Sequence, residues 1–411
     1  MPRPRASRAR NGLRRLPHVI PLPSPIPSRK WRPVMYVPGE PDYRRDLRRT
    51  VATFGAREIA PNMRTWEEEG LVPRSLHKAA AAAGILGIGY AEEIGGSGGD
   101  LLDLLAATEE IVEAGGTSGL CAALLGHNLT TPHILEGSEE QIEKWAKPIL
   151  LGEAIAAFAV TEPGGGTDVA AMRTRANRTS AGYTLTGSKT FITSATRADF
   201  FMVGARVAER EIGLFMVPSN SPGVSVSAPF KKMGWLCSDT AEITFDAVEV
   251  PAVERLDDGD GFKRLMRHFE TERLFLSAQA YATAARVMTL AIAWAKERVV
   301  LGSPLAEKQV IAHMIAEMHT KAEIARAYTY EAARAHLDGH GGDGRVRSAI
   351  AKNAAVAAAS FATDRAVQIF GGNGYMREFE VEMHFRDARL LPIGGGADEV
   401  LNEVIAKSLL K

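Results

Sequence analysis

Apolar residues recur at helical spacing from Asp42 to about Ile155, in runs such as Arg44 to Glu58 and Leu101 to Ala114, with glycine-rich breaks between them. The spacing predicts an α-helical region. Between Ala156 and about Asp257 the pattern shortens and alternates, in Tyr183 to Thr186, Phe200 to Ala205, Ile212 to Pro218 and Ala241 to Val250. These segments read as strands separated by turns. From Gly261 long helical periods return in Phe262 to Glu297, Glu307 to Leu337 and Arg345 to Phe370, interrupted at Leu301 to Pro304 and Gly339 to Gly344. Such helices with short breaks predict an antiparallel bundle. The chain is thus expected to be mostly α with a central β domain, divided as 36–155, 156–257 and 258–411. An α, then β, then α order contains no repeated βαβ unit, so a doubly wound dinucleotide-binding domain is not expected.

Composition sharpens this picture at the N-terminus. Before Glu40 there are nine Lys and Arg residues, no acid and many prolines, which predicts a disordered basic arm over residues 1–35. Pro21, Pro23, Pro25 and Pro27 would break the amphipathic helix of an organelle transit peptide, so Met35 is the expected start. A bacterial-type cytoplasmic location follows, or the mitochondrial matrix if the arm is a transit peptide. Over the whole chain Lys plus Arg equals Asp plus Glu at 49 each, so no global field favours nucleic acid or an acidic membrane face. No apolar run is long enough for a membrane span. Cys121 and Cys237 fit no disulfide framework, and neither they nor the histidines have metal-ligand spacing, so no metal is expected and each histidine reads as a surface or satisfied core residue.

Two chemical motifs fail on context. Gly95-Gly96-Ser97-Gly98-Gly99 matches a nucleophile elbow formally but lies among helices without a preceding strand, and reads as a loop. Gly187-Ser188-Lys189-Thr190 lacks the upstream glycine of a phosphate loop, and reads as a β-turn. A third keeps its interest: Phe158-Ala159-Val160-Thr161-Glu162-Pro163-Gly164-Gly165-Gly166-Thr167-Asp168 ends a strand in a glycine-rich turn. Its free N–H groups and hydroxyls suit a planar polar ring.

This run resembles the signature of the acyl-CoA dehydrogenase family, and further matches follow in family order: Glu92 to Gly98, Gly187 to Thr193, Lys232-Met233-Gly234-Trp235, Ser238 to Ala241, Glu297 to Gly302, Gln309 and Gln368 to Tyr375. The resemblance implies the family fold, an N-terminal α domain, a middle β-barrel and a C-terminal four-helix bundle. It also implies a noncovalent FAD. Thr161 and Thr193 would donate to the flavin and Phe191 would cover a face, with Phe158, Val160, Gly166 and Thr167 of the turn beside it. Arg298 and Gln309 would hold the diphosphate and adenosine of a neighbouring subunit's FAD, together with Gln368, Gly371 and Gly372. Leu301 and Ala397 depart from the family's usual phenylalanine and threonine, which puts those two contacts aside.

Removing an α-proton from a thioester while a β-hydride leaves requires a carboxylate across the substrate from the flavin. Many family members carry it in a C-terminal Tyr-Glu-Gly-Thr segment, where this chain has Gly394-Gly395-Gly396-Ala397. A minority, including long-chain and isovaleryl enzymes, carries it on a helix before an arginine, here Glu272-Arg273. Independently, Leu265, Phe269, Glu272 and Leu276 recur at spacings of four, three and four, which sets Glu272 in an apolar helical stripe. Desolvation there should raise its pKa toward that of a general base. The alternative for Glu272 is an ion pair with a buried arginine. Glu270, the competing carboxylate, lies on another face; by resemblance Glu270, Thr271, Arg273 and Thr167 flank the acyl-CoA. Thr167 could instead cap its own turn. The Gly395 N–H would donate to the thioester oxygen. The resemblance implies a homotetramer passing electrons to an electron-transfer flavoprotein. An oxidase or monooxygenase on the same fold, or a noncatalytic acyl-CoA-binding paralogue, are the alternative readings.

Overall fold

The computed structural model describes residues 40–339 and 343–410; the arm expected over 1–35 lies outside them. The N-terminal helices include Asp42–Phe54 and Leu101–Glu113. The second starts at a reciprocal cap, in which the Asp100 carboxylate accepts from the Leu102 and Asp103 amides and the Asp103 side chain accepts from the Asp100 amide. Nearly every residue of Leu101–Glu113 is buried, because it packs on Asp42–Phe54 on one side and on the long helix Gly261–Glu297 on the other. Its Glu109 is buried among partners from three other helices. Arg326 Nε donates to Glu109 Oε1 at 2.8 Å, Tyr281 Oη donates at 2.8 Å, and Arg48 approaches at 2.7 Å. No helix among the described residues is long and apolar enough to cross a membrane.

The middle region is one curled sheet of seven strands, β1 (Ala156–Ala159), β2 (Arg175–Arg178), β3 (Gly182–Thr193), β4 (Phe200–Ala208), β5 (Glu211–Pro218), β6 (Val224–Val226) and β7 (Thr240–Pro251). Its order is β1-β4-β2-β3-β7-β6, with β5 also paired to β4. Strand alternation divides the side chains between two cores. Ala157, Ala159, Phe201, Val203, Phe215, Val217, Ile243 and Phe245 fill one side of the sheet. Ala156, Val160, Phe200, Met202, Leu214 and Met216 face Ile134, Trp145 and Leu265, and so bind the sheet to helices before and after it in sequence.

Gly187 to Thr190 is not a β-turn but the middle of β3, paired with β7. The sequence reading stopped the strand at Thr186 because glycine and serine interrupt the apolar alternation. Two bulges carry the strand through, one on β7 with Ala247 at φ 50°, the other on β3 between Lys189 and Ile192.

After the sheet, Gly261–Glu297 packs against Gln309–Leu337 and Gly344–Phe370, and Asp398–Leu409 closes on the last of these, giving the expected bundle. The break after Glu297 is a two-residue hairpin turn. Leu301 and Gly302 take φ of 53° and 78°, and Val299–Val300 pairs with Ser303–Pro304.

Candidate active site

The turn after β1 is fixed from beneath by a buried ion pair. Lys189 is wholly buried on β3, and its Nζ donates to Glu162 Oε1 at 2.8 Å and to the Val160 carbonyl at 3.1 Å. Glu162 also accepts from the Arg173 and Thr174 amides at 2.6 and 2.8 Å. Burial opposes the charge on Glu162, but these donors outweigh it and hold its carboxyl below the usual range. Burial likewise lowers Lys189 to about 8 against the pull of Glu162. With the underside tied down, the rest of the turn faces outward. Gly164, Gly165, Gly166 and Thr167 are exposed, and a Cβ on Gly164 or Gly165 would meet no atom within 4 Å. The following turn is capped by Asp168, which accepts from the Ala171 amide, and Thr167 is exposed with no hydrogen bond from its hydroxyl among the described residues.

The Thr190 amide donates to the Thr161 carbonyl at 2.9 Å, which sets the turn beside the end of β3. The β3 bulge there twists Phe191 to φ 58° and leaves its ring 68% exposed, edge-on to Phe230, while Ile192 returns to the core. Thr161 and Thr193 are both partly exposed on this edge. A planar ring with hydrogen-bonding edges fits that combination of an exposed aromatic, two hydroxyls and open space over glycine.

Across from the turn runs the Gly261–Glu297 helix. Phe158 of β1 meets Phe269 edge-to-face at 6.4 Å, so the strand that leads into Thr161 touches the helix one turn before Glu272. Phe158 also stacks on His133, which is buried with Nδ1 unpartnered; that histidine is not the satisfied core residue expected from sequence, because its near neighbours are the Phe158 ring and cationic or imidazole groups, His268, Arg264 and Arg267. Glu272 is partly buried, and burial raises its carboxyl to about 7, with Arg273 and Lys352 pulling the other way. The carboxylate has no hydrogen-bond or ion-pair partner among the described residues, so it is not the ion pair weighed as its alternative.

Gly395 lies against this carboxylate. A Cβ there would sit 3.6 Å from Glu272 Oε1 and 2.2 Å from Leu276 Cδ1, and the residue has φ 66°. A side chain at 395 would therefore collide with Leu276 and rest in contact with the Glu272 carboxylate. The Gly395 N–H finds no acceptor among the described residues.

The other sequence candidates separate. Arg273 lies close by, its Nη2 4.0 Å from where a Gly396 Cβ would be, with Nε buried and unpartnered. Glu270 points elsewhere, toward His336 at 3.7 Å and against Gly344. The Thr271 hydroxyl donates back to the His268 carbonyl. Arg298 and Gln309 are exposed beside the hairpin, and Gln368, Gly371 and Gly372 are exposed at the end of Gly344–Phe370, with open space over both glycines. Arg298 follows Glu272 by 26 residues on one helix, about 39 Å at 1.5 Å per residue. One chain does not bring the two groups together.

The sequence reading missed Lys352 and the Lys189–Glu162 pair. Lys352 is wholly buried, and Nζ donates to the Gly396 carbonyl at 2.8 Å. A lone lysine in the small apolar run Ser348 to Ala359 was the available signal.

Comparison with known proteins agrees with this arrangement. Family models for the acyl-CoA dehydrogenase N-terminal, middle and C-terminal domains match residues 41–153, 157–248 and 259–410. The chain is similar to a solved probable acyl-CoA dehydrogenase from Mycobacterium abscessus at 46% identity and TM-score 0.88, covering 90% of this chain and 99% of that one. It is similar to the butyryl-CoA dehydrogenase of Megasphaera elsdenii at 34% identity and TM-score 0.85, covering 90% and 98%. It is 35% identical to the CarC subunit of the caffeyl-CoA reductase-Etf complex of Acetobacterium woodii over 89% of this chain and 97% of the relative. These names do not single out the long-chain and isovaleryl subgroup.

Proposed function

The chain belongs to the acyl-CoA dehydrogenase family and is an oxidoreductase acting on acyl-CoA; on that premise we propose that it desaturates an acyl thioester at the α,β bond with Glu272 as the base and FAD as the cofactor. One observation carries the assignment: the unpaired Glu272 carboxylate lies in an apolar helical stripe against the side-chain-free Gly395, its Oε1 3.6 Å from where a Cβ there would be. On this reading the helix supplies the base, and the loop carries no side chain there.

Bound FAD would supply the acceptor for the β-hydride. Thr161, Thr193 and Phe191 would hold its ring, with Phe158, Val160, Gly166 and Thr167 beside them; the Val160 carbonyl is already engaged by Lys189, which leaves its N–H. Arg298, Gln309, Gln368, Gly371 and Gly372 would serve the FAD of a second copy, which the separation of Arg298 from Glu272 along their helix supports. We read the working form as a homotetramer. Glu272 takes the α-proton, and its poise near neutrality suits that task at physiological pH. The Gly395 N–H donates to the thioester oxygen as charge develops there. Arg273, Thr271 and Thr167 border the acyl-CoA, whereas Glu270 contributes through the bundle. An electron-transfer flavoprotein as acceptor is supported by the likeness to the CarC subunit.

The test is anaerobic bleaching of the flavin by straight and branched acyl-CoAs, in the wild type and in Glu272→Gln. Bleaching of the wild type alone is expected, and the best substrate names the acyl class. Bleaching of both variants removes Glu272 as base. Bleaching of neither, or rapid reoxidation in air without a carrier, turns the reading toward an oxidase or a binding role.

A further inference from the structure

The helix Gly344–Phe370 carries Lys352 among alanines, where an apolar side chain would bury at less cost than an ammonium. The ammonium is held by two groups, the Gly396 carbonyl at 2.8 Å and Asp398 Oδ1 at 3.5 Å. Its neighbour Asn353 donates to the Asp398 carbonyl and to Asn402. The loop so anchored has little else to fix it. Gly395 and Gly396 both have positive φ, neither has a side chain, and the loop's backbone bonds lie at its two ends, at the Gly394 and Asp398 amides and at the Ala397 carbonyl, which accepts from Leu401. We propose that Lys352 is a positioning residue for the reaction, clamping the Gly394 to Ala397 loop by its carbonyl so that the Gly395 amide hydrogen is held toward the thioester oxygen.

The clamp rests on the reading of Glu272 as base and Gly395 as donor. It acts on both. By holding the Gly396 carbonyl it fixes the Gly396–Ala397 peptide and with it the course of the short glycine segment that carries the Gly395 N–H, and a displacement of about 1 Å in such a donor costs on the order of 100-fold in rate. Through its charge it also faces Glu272. The charged groups around that carboxylate are Arg273 on its own helix and Lys352 on the packed one, with Glu270 and Arg345 acting on Arg273, and Asp398 on Lys352. Removing the Lys352 charge therefore shifts the rising limb of the pH–rate profile to higher pH.

The experiment compares wild type, Lys352→Met, Lys352→Gln and Glu272→Gln, all loaded with FAD. The readouts are anaerobic flavin reduction across pH and the absorption band of a bound aryl-acrylyl-CoA, which moves to the red when its carbonyl is polarised. Lys352→Met is expected to lower kcat about 10- to 100-fold with KM within about threefold, to weaken the red shift and to move the limb upward. Lys352→Gln keeps a donor without the charge, so it should recover much of the red shift but not the pH limb. Glu272→Gln should keep the red shift and lose reduction. Wild-type kcat and red shift in Lys352→Met overturn the clamp, as does loss of flavin and fold in both Lys352 variants, which would make the residue structural. A wild type that no acyl-CoA reduces overturns the underlying reading instead.

Discussion

Replacing Gly395 by alanine probes the site with a single methyl group. The new Cβ would lie 2.2 Å from Leu276 Cδ1, more than 1 Å inside an ordinary contact, and 3.6 Å from Glu272 Oε1. The backbone at φ 66° adds its own cost for a residue with a side chain, about 1 to 2 kcal/mol. If Leu276 yields by leaving its rotamer, that adds about 0.5 to 1.5 kcal/mol. Together Gly395→Ala should lose roughly 1.5 to 3.5 kcal/mol of stability, read as a lower urea midpoint at unchanged slope. If the loop yields instead, the Gly395 N–H moves and kcat for flavin reduction falls about 100-fold. The double variant Gly395→Ala with Leu276→Ala removes the collision but keeps the strained φ, so it should recover kcat relative to Gly395→Ala and show non-additive coupling. An alanine variant with wild-type stability and kcat, or a double variant whose losses simply add, would refute the close packing of position 395 on Leu276.

Three other outcomes test separate parts of the structure. The Glu272 carboxyl rises from its ordinary 4.5 to about 7, so the folded state holds this proton more tightly than the unfolded chain and loses stability as pH climbs from about 4.5 to 7. Glu272→Gln should therefore be more stable than wild type at pH 8, with a ceiling of about 3 kcal/mol reduced by partial solvent access, and the gain should shrink toward pH 5; thermal melts across pH check this. Glu109→Ala removes the carboxylate that accepts from Arg326 and Tyr281 and one of the three acids facing Arg48, which keeps Glu40 and Glu110, and should cost about 1 to 3 kcal/mol in urea unfolding. Arg298→Ala should release FAD on dilution, raising its Kd about 10- to 100-fold by flavin fluorescence while the fold persists, because the side chain is exposed and supports no packing.

Much of the molecule was legible before folding because helical and strand periods are local. The spacing of Leu265, Phe269, Glu272 and Leu276 alone put a carboxylate in an apolar stripe, and the structure finds it there, partly buried beside Leu276 and Gly395. The order of helical, alternating and helical texture gave the three layers from Asp42 to Leu409. What periodicity could not supply were features made by segments remote in sequence. Gly187 to Thr190 reads as a turn in isolation, and only pairing with β7 makes it strand. Phe191 would point into the sheet by alternation, and a one-residue bulge turns it out. Lys352 looks like an ordinary helical lysine until the Gly396 carbonyl reaches it from the far end of the chain. The sequence by itself determined which residues lie on which face of their own element; tertiary structure decided which faces meet, because register, bulges and left-handed glycines are fixed by contacts that no local pattern encodes.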